Sequence, residues 1–480
     1  MNGIVAALLV ALVLFPPCAA WAQDARTALE NAARASGAAG LKSIQITGSG
    51  TSYAAGQAPA PGLAWPKFNV KSLTREVDYD TASLRDDYVR TQGEDPPRGG
   101  GVQPVRGEAR QILVVSGDLA WNVVADAPVP APIGLAERQF QLWSTPHGVI
   151  KGALANNATV QGRTIAFAVP GRFSLRATLN DQNLVERVEA LLPNPVVGDL
   201  PVEIAYSEYK DFGGVKYPTR IRQSAAGFPT LDLTVTEVRP NAPVDIRVPD
   251  PAPQTRGFYE KIASQKVADG VWYVAGGTHH SVVIEMRDHV LVAEGPLNDE
   301  RALAVIAETR RLVPGKPIRY VIASHNHFDH TGGLRAFAAE GVPVIVHEVH
   351  RAFFEKTLAA PATIAPDHLA KSGKKGLVEG VRDRRVLTDG SRTVELRHIV
   401  GNGHDDGLLM VYLPAEKLLI EADVFTPLAP NAPPPTPVSP FSINLADNLA
   451  RQGLVVDQIL PLHGRVVPLA ELYRTIGRNP

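Results

Sequence analysis

Between positions 43 and 238, apolar and polar residues alternate in short runs. Ser43–Gly50, Phe68–Leu73, Ser83–Arg90, Gln111–Val115 and Leu119–Val124 form a first group. Arg163–Val169, Ser174–Leu179, Leu184–Ala190, Val202–Ser207, Tyr217–Arg222 and Thr230–Val238 form a second. Alternate side chains of a strand point to opposite faces, so this period predicts half-buried antiparallel strands. Ahead of them, Asp24–Ala38 has the spacing of a short amphipathic helix that ends at Gly37. Glu94–Gly101 and Asp126–Pro132 are rich in Pro, Gly and acidic residues and read as surface loops.

The pattern changes after a proline-rich stretch containing Pro240, Pro243, Pro249, Pro251 and Pro253, which predicts a semi-rigid, extended linker. Gly270–Gly277, Ser281–Met286 and His289–Glu294 then read as a strand meander. Asn298–Leu312 has helical spacing through Leu303, Val305, Ile306 and Leu312. Ile318–Ala323 is a continuous apolar run, as in a buried strand, and Leu334–Ala339 follows as a helix. A strand at Val342–Val346 and a helix at Val349–Leu358 continue the series. Strands beside helices of this length predict an α/β layered domain, preceded by a mostly antiparallel β domain. The expected divisions are a leader at 1–22, a β-rich domain at 23–240, a linker at 241–256 and the α/β domain at 257–480.

The chain has 480 residues, which fits more than one domain. Lys and Arg total 48 against 49 Asp and Glu, so no charge excess points to nucleic acid or another polyanion. Ile4–Phe15 is an unbroken apolar run, too short to span a bilayer as a mature helix, and Ala20-Trp21-Ala22 offers a cleavage site before Gln23. The expectation is an exported protein, periplasmic or secreted, with no stable membrane span after cleavage. The alternative is an uncleaved anchor. Cys18 is the only cysteine and falls within the leader, so the mature chain would have neither disulfides nor thiolate ligands.

The candidate chemistry lies at His325-Asn326-His327-Phe328-Asp329-His330-Thr331-Gly332-Gly333. Three histidines and one aspartate follow directly on the apolar strand and precede a glycine turn. Neutral imidazole and carboxylate are good ligands for Zn²⁺ and similar divalent ions. His325 and His327 alternate, so an extended backbone turns both the same way. Asp329 and His330 project from the turn that follows. Four adjacent ligands cannot all reach one ion without strain, so two neighbouring sites are expected.

This segment resembles the metal-binding signature of the metallo-β-lactamase superfamily. The resemblance implies an αββα sandwich with a mono- or dinuclear zinc site and three more ligands downstream. His404, in the turn Gly401-Asn402-Gly403-His404, Asp423 at a strand end, and His463 after Ile459-Leu460-Pro461-Leu462 stand in the family's order. Carried over, one metal takes His325, His327 and His404, the other takes Asp329, His330 and His463, and Asp423 bridges. Glu421, Asp405 and Asp406 fall outside this set. His279, His280 and His398 are candidates for groups that hold the ligand rings. An aspartate at 423 looks more like the glyoxalase-II, lactonase, phosphodiesterase and sulfatase relatives than the β-lactamases proper.

The implied activity is an exported hydrolase with two Zn²⁺ per chain, Fe or Mn being the alternatives. Water activated between the ions attacks an ester, lactone, amide, phosphodiester or sulfate-type small molecule, and Asp329 orients the nucleophile. Loops Phe353–His368 and Phe425–Phe441 are expected to wall the pocket. The rival readings are an iron-dependent oxidoreductase on the same scaffold and a non-catalytic periplasmic binding protein. The β-rich half weakly resembles the half-barrels of periplasmic lipoprotein carriers. Protein partners are not specified by any segment.

Overall fold

A computed structural model of the chain describes residues 18–430 and 432–479. The apolar run Ile4–Phe15 lies outside the described residues. The first helix, Cys18–Ser36, begins earlier than the predicted Asp24 and ends one residue before Gly37, whose left-handed backbone (φ 78°) stops it. Among the described residues, no helix is long and apolar enough to cross a membrane.

The alternating segments form one antiparallel sheet of thirteen strands among the described residues. Its middle is the pairing of the first strand, Ser43–Tyr53, with the last, Phe228–Pro240. The remaining strands extend outwards as two meanders, so sequence neighbours are also neighbours in the sheet. All eleven predicted strands are present. Ala127–Pro130, which the sequence placed in a loop, is a further strand at one end of the sheet. Pro128 and Pro130 are compatible with that position because an edge strand has one side free of ladder hydrogen bonds. Thr159–Gln161 closes the other end.

Two helices had no forecast, Leu135–Trp143 and Pro146–Ala155. The second starts with Pro146 at its first turn, and the Thr145 hydroxyl caps it by accepting from the Gly148 amide at 3.1 Å. Together with the first helix they supply Leu29, Ala32, Phe140, Leu142, Val149 and Ile150 to the core. They pack on alternate strand residues such as Ile44, Ile46, Leu73, Leu175 and Ile221. One face of the sheet is therefore covered by helices, which is why its strands alternate.

Residues 263–476 form an αββα sandwich. A seven-stranded sheet (Ala263–Ala268 to Val378–Val381) stacks on a six-stranded one (Arg384–Thr388 to Val467–Pro468) among the described residues. Strand residues alternate between cores. Leu409 and Val411 face the other sheet, whereas Met410 and Tyr412 face the helices Pro440–Arg451 and Leu469–Ile476. In the first sheet Val282 and Ile284 face inwards, and Val283 meets the helices Asp299–Leu312 and Leu334–Glu340. Both faces of these strands are buried, so they read as continuous apolar runs.

The proline-rich stretch carries no strand or helix between Pro240 and Ala263 and is tied down along its length. Ile246 packs beside Ile112, Val114 and Trp121. The Tyr259 hydroxyl accepts from the Ile133 amide at 3.0 Å, while its carbonyl accepts from Arg301 at 2.7 Å. Elsewhere Asp199 accepts from the amides of Thr363 (2.8 Å) and Ile364 (3.1 Å), holding the 359–367 loop against the β-rich half.

Candidate metal centre

The chemistry-bearing side chains gather at one edge of the sandwich because four strands end there. Val290–Ala293 is followed by Glu294, Ile318–Ile322 by His325 and His327, Leu418–Glu421 by Asp423, and Gln458–Pro461 by His463. These neighbours pair in parallel across their sheets, which brings their carboxyl ends to the same side. A one-turn helix, Phe328–Thr331, then turns Asp329 and His330 back towards the strand ends. Asp423 and Glu294 both have left-handed backbones, φ 67° and 73°. Such conformations cost a non-glycine residue about 1–2 kcal/mol and gather where a site needs a side chain aimed against the run of the chain.

Two donor clusters result: His325, His327, His404 and Asp423, and His279, Asp329, His330 and His463. Within each, the ligand atoms lie within 4.8 Å of one another. Asp423 faces both. Its Oδ2 is 3.1 Å from His404 Nε2 and 3.7 Å from His325 Nε2, while its Oδ1 is 2.9 Å from both His330 Nε2 and His463 Nε2.

Most of the rings are fixed by a partner on their other nitrogen. His325 Nδ1 lies 2.8 Å from Ser324 Oγ, His330 Nδ1 3.2 Å from Glu294 Oε2, and His463 Nδ1 2.6 Å from the Thr278 carbonyl. In each case Nε2 is left to face the cluster. His327 is reversed. Its Nε2 donates to the Ala58 carbonyl at 3.0 Å, and its Nδ1 is buried with no hydrogen-bond partner among the described residues.

Burial, with help from neighbouring imidazoles, holds His325 well below the usual histidine range, and burial pulls His327 down to about 4. Both rings are neutral and carry a free lone pair. Burial opposes charge on His330 and His463 too, but Asp423 outweighs it and raises both. Burial likewise works against ionised Asp329 and Asp423, and the nearby His330 overcomes it, holding both below the ordinary carboxylate range. A metal ion held at His330 Nε2 would displace the proton there.

Nitrogen lone pairs that converge on ionised carboxylates, with an unpartnered buried Nδ1 among them, form a cation site. The three-His-one-Asp composition of the first cluster suits Zn²⁺, Mn²⁺ or iron. The family model described as the Metallo-beta-lactamase superfamily matches residues 273–447. The C-terminal half is a metallo-β-lactamase superfamily domain. With these donor clusters it is a metal-dependent hydrolase domain. Among solved structures, a metallo-beta-lactamase from Pontibacter korlensis is similar at 18% identity and a TM-score of 0.35, covering 45% of this chain and 98% of its own. DIM-1 metallo-beta-lactamase is similar at 15% identity and a TM-score of 0.35, covering 45% of this chain and 96% of its own. A search of curated proteins finds no significant match.

In this metallo-β-lactamase-type domain, all seven residues singled out from the sequence converge on the centre. His279, read from sequence as a group that holds a ligand ring, instead sits among the donors, its Nε2 3.1 Å from Asp329 Oδ2. His280 packs on Tyr273 and accepts from the Gly276 amide. His398 points away, 4.2 Å from the His347 ring. Glu421 is buried beside the centre but joins neither cluster. Burial and Asp423 hold its carboxyl well above the usual range, and it accepts from the Phe425 amide at 3.2 Å.

The sequence reading missed three contributors. Glu294 and Ser324 carry no motif of their own, and Gln57 lies in the other half of the chain. The pocket walls differ from expectation as well. Phe441 does reach His404, with ring centroids 5.5 Å apart, but the 353–368 segment is engaged with Asp199 instead. The His327 and His404 flank is covered by loops 54–66 and 93–108 of the β-rich half, through Phe328 N to Gly56 O (3.2 Å), Asp406 N to Pro59 O (2.7 Å) and Gly99 N to Gly403 O (2.8 Å). The centre opens on the opposite side, where the Asp329 and His463 side chains are 33% and 20% exposed while His325 and His327 are fully enclosed.

Proposed function

We propose that this chain is an exported dinuclear zinc hydrolase acting on a small ester, lactone, amide, phosphodiester or sulfate-type molecule. The observation that carries the reading is Asp423, whose two oxygens face different histidine sets. A carboxylate so placed suits two ions at the separation of about 3.5–4 Å that two-metal hydrolysis uses. Bound there, Zn²⁺ would supply an activated water nucleophile and polarise the oxygen that gains charge.

The chain's own groups do the rest. His325, His327 and His404 with Asp423 would hold one ion, and Asp329, His330 and His463 with the shared Asp423 would hold the other. Substrate would approach from the Asp329 and His463 side, where the donors meet solvent. Asp329 Oδ2, beside His279 Nε2, lies at that mouth and would orient the attacking group. Ser324, Glu294 and Thr278 keep the rings in register, which limits the motion needed on reaching the transition state.

The test is metal analysis of the purified full chain together with a panel of chromogenic esters, lactones, phosphodiesters, sulfates and a β-lactam. We expect two Zn²⁺ per chain, hydrolysis of at least one class, loss of it on chelation and recovery on adding Zn²⁺. Stoichiometric iron with oxygen consumption and no hydrolysis would overturn the reading. The leader-like 1–22 segment supports export, and mass spectrometry of the mature N-terminus near Gln23 tests that part.

A further inference from the structure

Residues 56–59 belong to the β-rich half, yet each makes a hydrogen bond to the metallo-β-lactamase-type domain, three of them to residues 327–329. The Gly56 carbonyl accepts from the Phe328 amide at 3.2 Å. Gln57 Nε2 donates to Asp329 Oδ1 at 2.7 Å, and the Ala58 carbonyl accepts from His327 Nε2 at 3.0 Å. The Pro59 carbonyl then accepts from the Asp406 amide at 2.7 Å.

The two central contacts have chemical consequences. A carbonyl can only accept, so Ala58 fixes the proton of His327 on Nε2 and leaves Nδ1 as its ligating atom. Gln57 occupies Asp329 Oδ1, which leaves Oδ2 to face the second cluster. The carboxamide of Gln57 cannot turn over, because its Oε1 already accepts from the Gly101 amide at 2.9 Å, and its backbone is held by the Gly100 amide donating to its carbonyl at 3.0 Å. The backbone is fitted as closely. A Cβ on Gly56 would come within 2.3 Å of the Phe328 ring, and one on Gly100 within 2.0 Å of Gln57 Oε1 and 2.8 Å of His327 Cε1. The loop is not a plug, since Asp329 keeps its open side.

We propose that the 56–59 segment of the β-rich half is a built-in part of the metal centre, with Gln57 and the Ala58 carbonyl as positioning groups for Asp329 and His327. This rests on the reading of those two residues as metal ligands. A ligand whose supporting partner is removed typically loses about 10- to 100-fold in metal affinity.

The test uses the full chain as wild type, Gln57→Ala, Gly100→Ala and Asp199→Ala. Asp199→Ala weakens the attachment of the two halves at Thr363, away from the centre. The readouts are Co²⁺ affinity by chelator competition, the visible spectrum of bound Co²⁺, and the thermal midpoint. We expect Gln57→Ala to weaken at least one Co²⁺ by about 10- to 100-fold and alter its spectrum with little change in midpoint. Gly100→Ala should do the same by crowding Gln57 and His327. Asp199→Ala should lower the midpoint and leave the affinity and spectrum as in wild type. Wild-type affinity and spectrum in Gln57→Ala overturn the proposal, as does an equal loss of affinity in Asp199→Ala. A wild-type stoichiometry of one overturns the dinuclear reading alone, and the effect of Gln57→Ala on that single ion still decides this one.

Discussion

His350 Nε2 lies 3.0 Å from Asp405 Oδ1, and both side chains are wholly buried. Asp405 also accepts from the Gly407 amide at 2.7 Å, closing the turn that carries His404. Burial works against its charge, but His350 outweighs this and lowers its carboxyl below the usual value. From the sequence, Asp405 stands beside His404 but outside the expected ligand set. Its enclosure gives it a structural role instead. Removing one partner of a buried polar contact, so that the other is left unsatisfied, typically costs about 1–3 kcal/mol. Asp405→Ala should therefore lower the thermal midpoint markedly, while the folded fraction keeps the same metal content as wild type. Metal analysis after size-exclusion chromatography checks this, and loss of an ion from well-folded Asp405→Ala would place the residue among the ligands.

A second titrating group sits far from the metal centre. His147 is enclosed in the core of the β-rich half, with Nε2 donating to the Ser36 carbonyl at 3.1 Å and its ring stacked on Tyr217. Burial pulls its pKa from 6.5 to about 4, with Lys151 acting in the same direction. The folded state thus keeps His147 neutral where the unfolded state has gained a proton, so its contribution is complete above pH 6.5 and is lost as pH falls towards 4. A gap of about 2.5 pH units at about 1.4 kcal/mol each amounts to roughly 3 kcal/mol. His147→Gln retains a donor for Ser36 but cannot titrate. Between pH 7 and 4 the wild type should lose roughly 3 kcal/mol more stability than His147→Gln. Parallel denaturation curves across that range would exclude the assignment.

Glu294 is buried with a left-handed backbone, and its carboxylate takes three donors: Ser324 Oγ at 2.6 Å, the Ser324 amide at 3.2 Å and His330 Nδ1 at 3.2 Å. It fixes two rings of the candidate centre at once, His330 directly and His325 through Ser324. Glu294→Gln keeps the shape but turns an amide N–H₂ towards donors. Affinity for at least one metal should fall by about 10- to 100-fold. Competition with a chromogenic chelator measures it, and an unchanged affinity would show that the rings are held by packing alone.

The candidate ligands were legible as a cluster because a metal demands particular residue types, and four of the seven stand within six positions of one another behind a buried strand. The β-rich half was legible because its strands bury one face and so alternate. Less local dependencies left no trace. Gln57 and Asp329 are 272 positions apart, and nothing in the spacing of either joins them. Glu294 reads as an ordinary acid after a strand until the fold sets it beside Ser324 and His330. The helices Leu135–Trp143 and Pro146–Ala155 are short and gain their stability from burying Phe140, Leu142, Val149 and Ile150 against a sheet built from distant segments.

Asp423 gives the sharpest test of the centre. Alanine is a poor probe there, since φ is 67° and a left-handed alanine adds about 1–2 kcal/mol of strain unrelated to metal. Asparagine tolerates that backbone and keeps the volume, so Asp423→Asn isolates the charge. The substitution leaves one neutral oxygen where Oδ1 now faces His330 and His463 and Oδ2 faces His404. Two cations held close together would then face each other with less negative charge between them, while His325, His327 and His404 still offer three nitrogens. The expected outcome is a folded protein with a near-wild-type thermal midpoint when stripped of metal, roughly one tightly bound ion, and hydrolysis reduced by at least about 100-fold. Metal analysis, turnover and apo-protein melting, measured in one buffer, read these separately. Two tightly bound ions with undiminished turnover in Asp423→Asn would show that the carboxylate does not bridge, and the dinuclear assignment would fall with it.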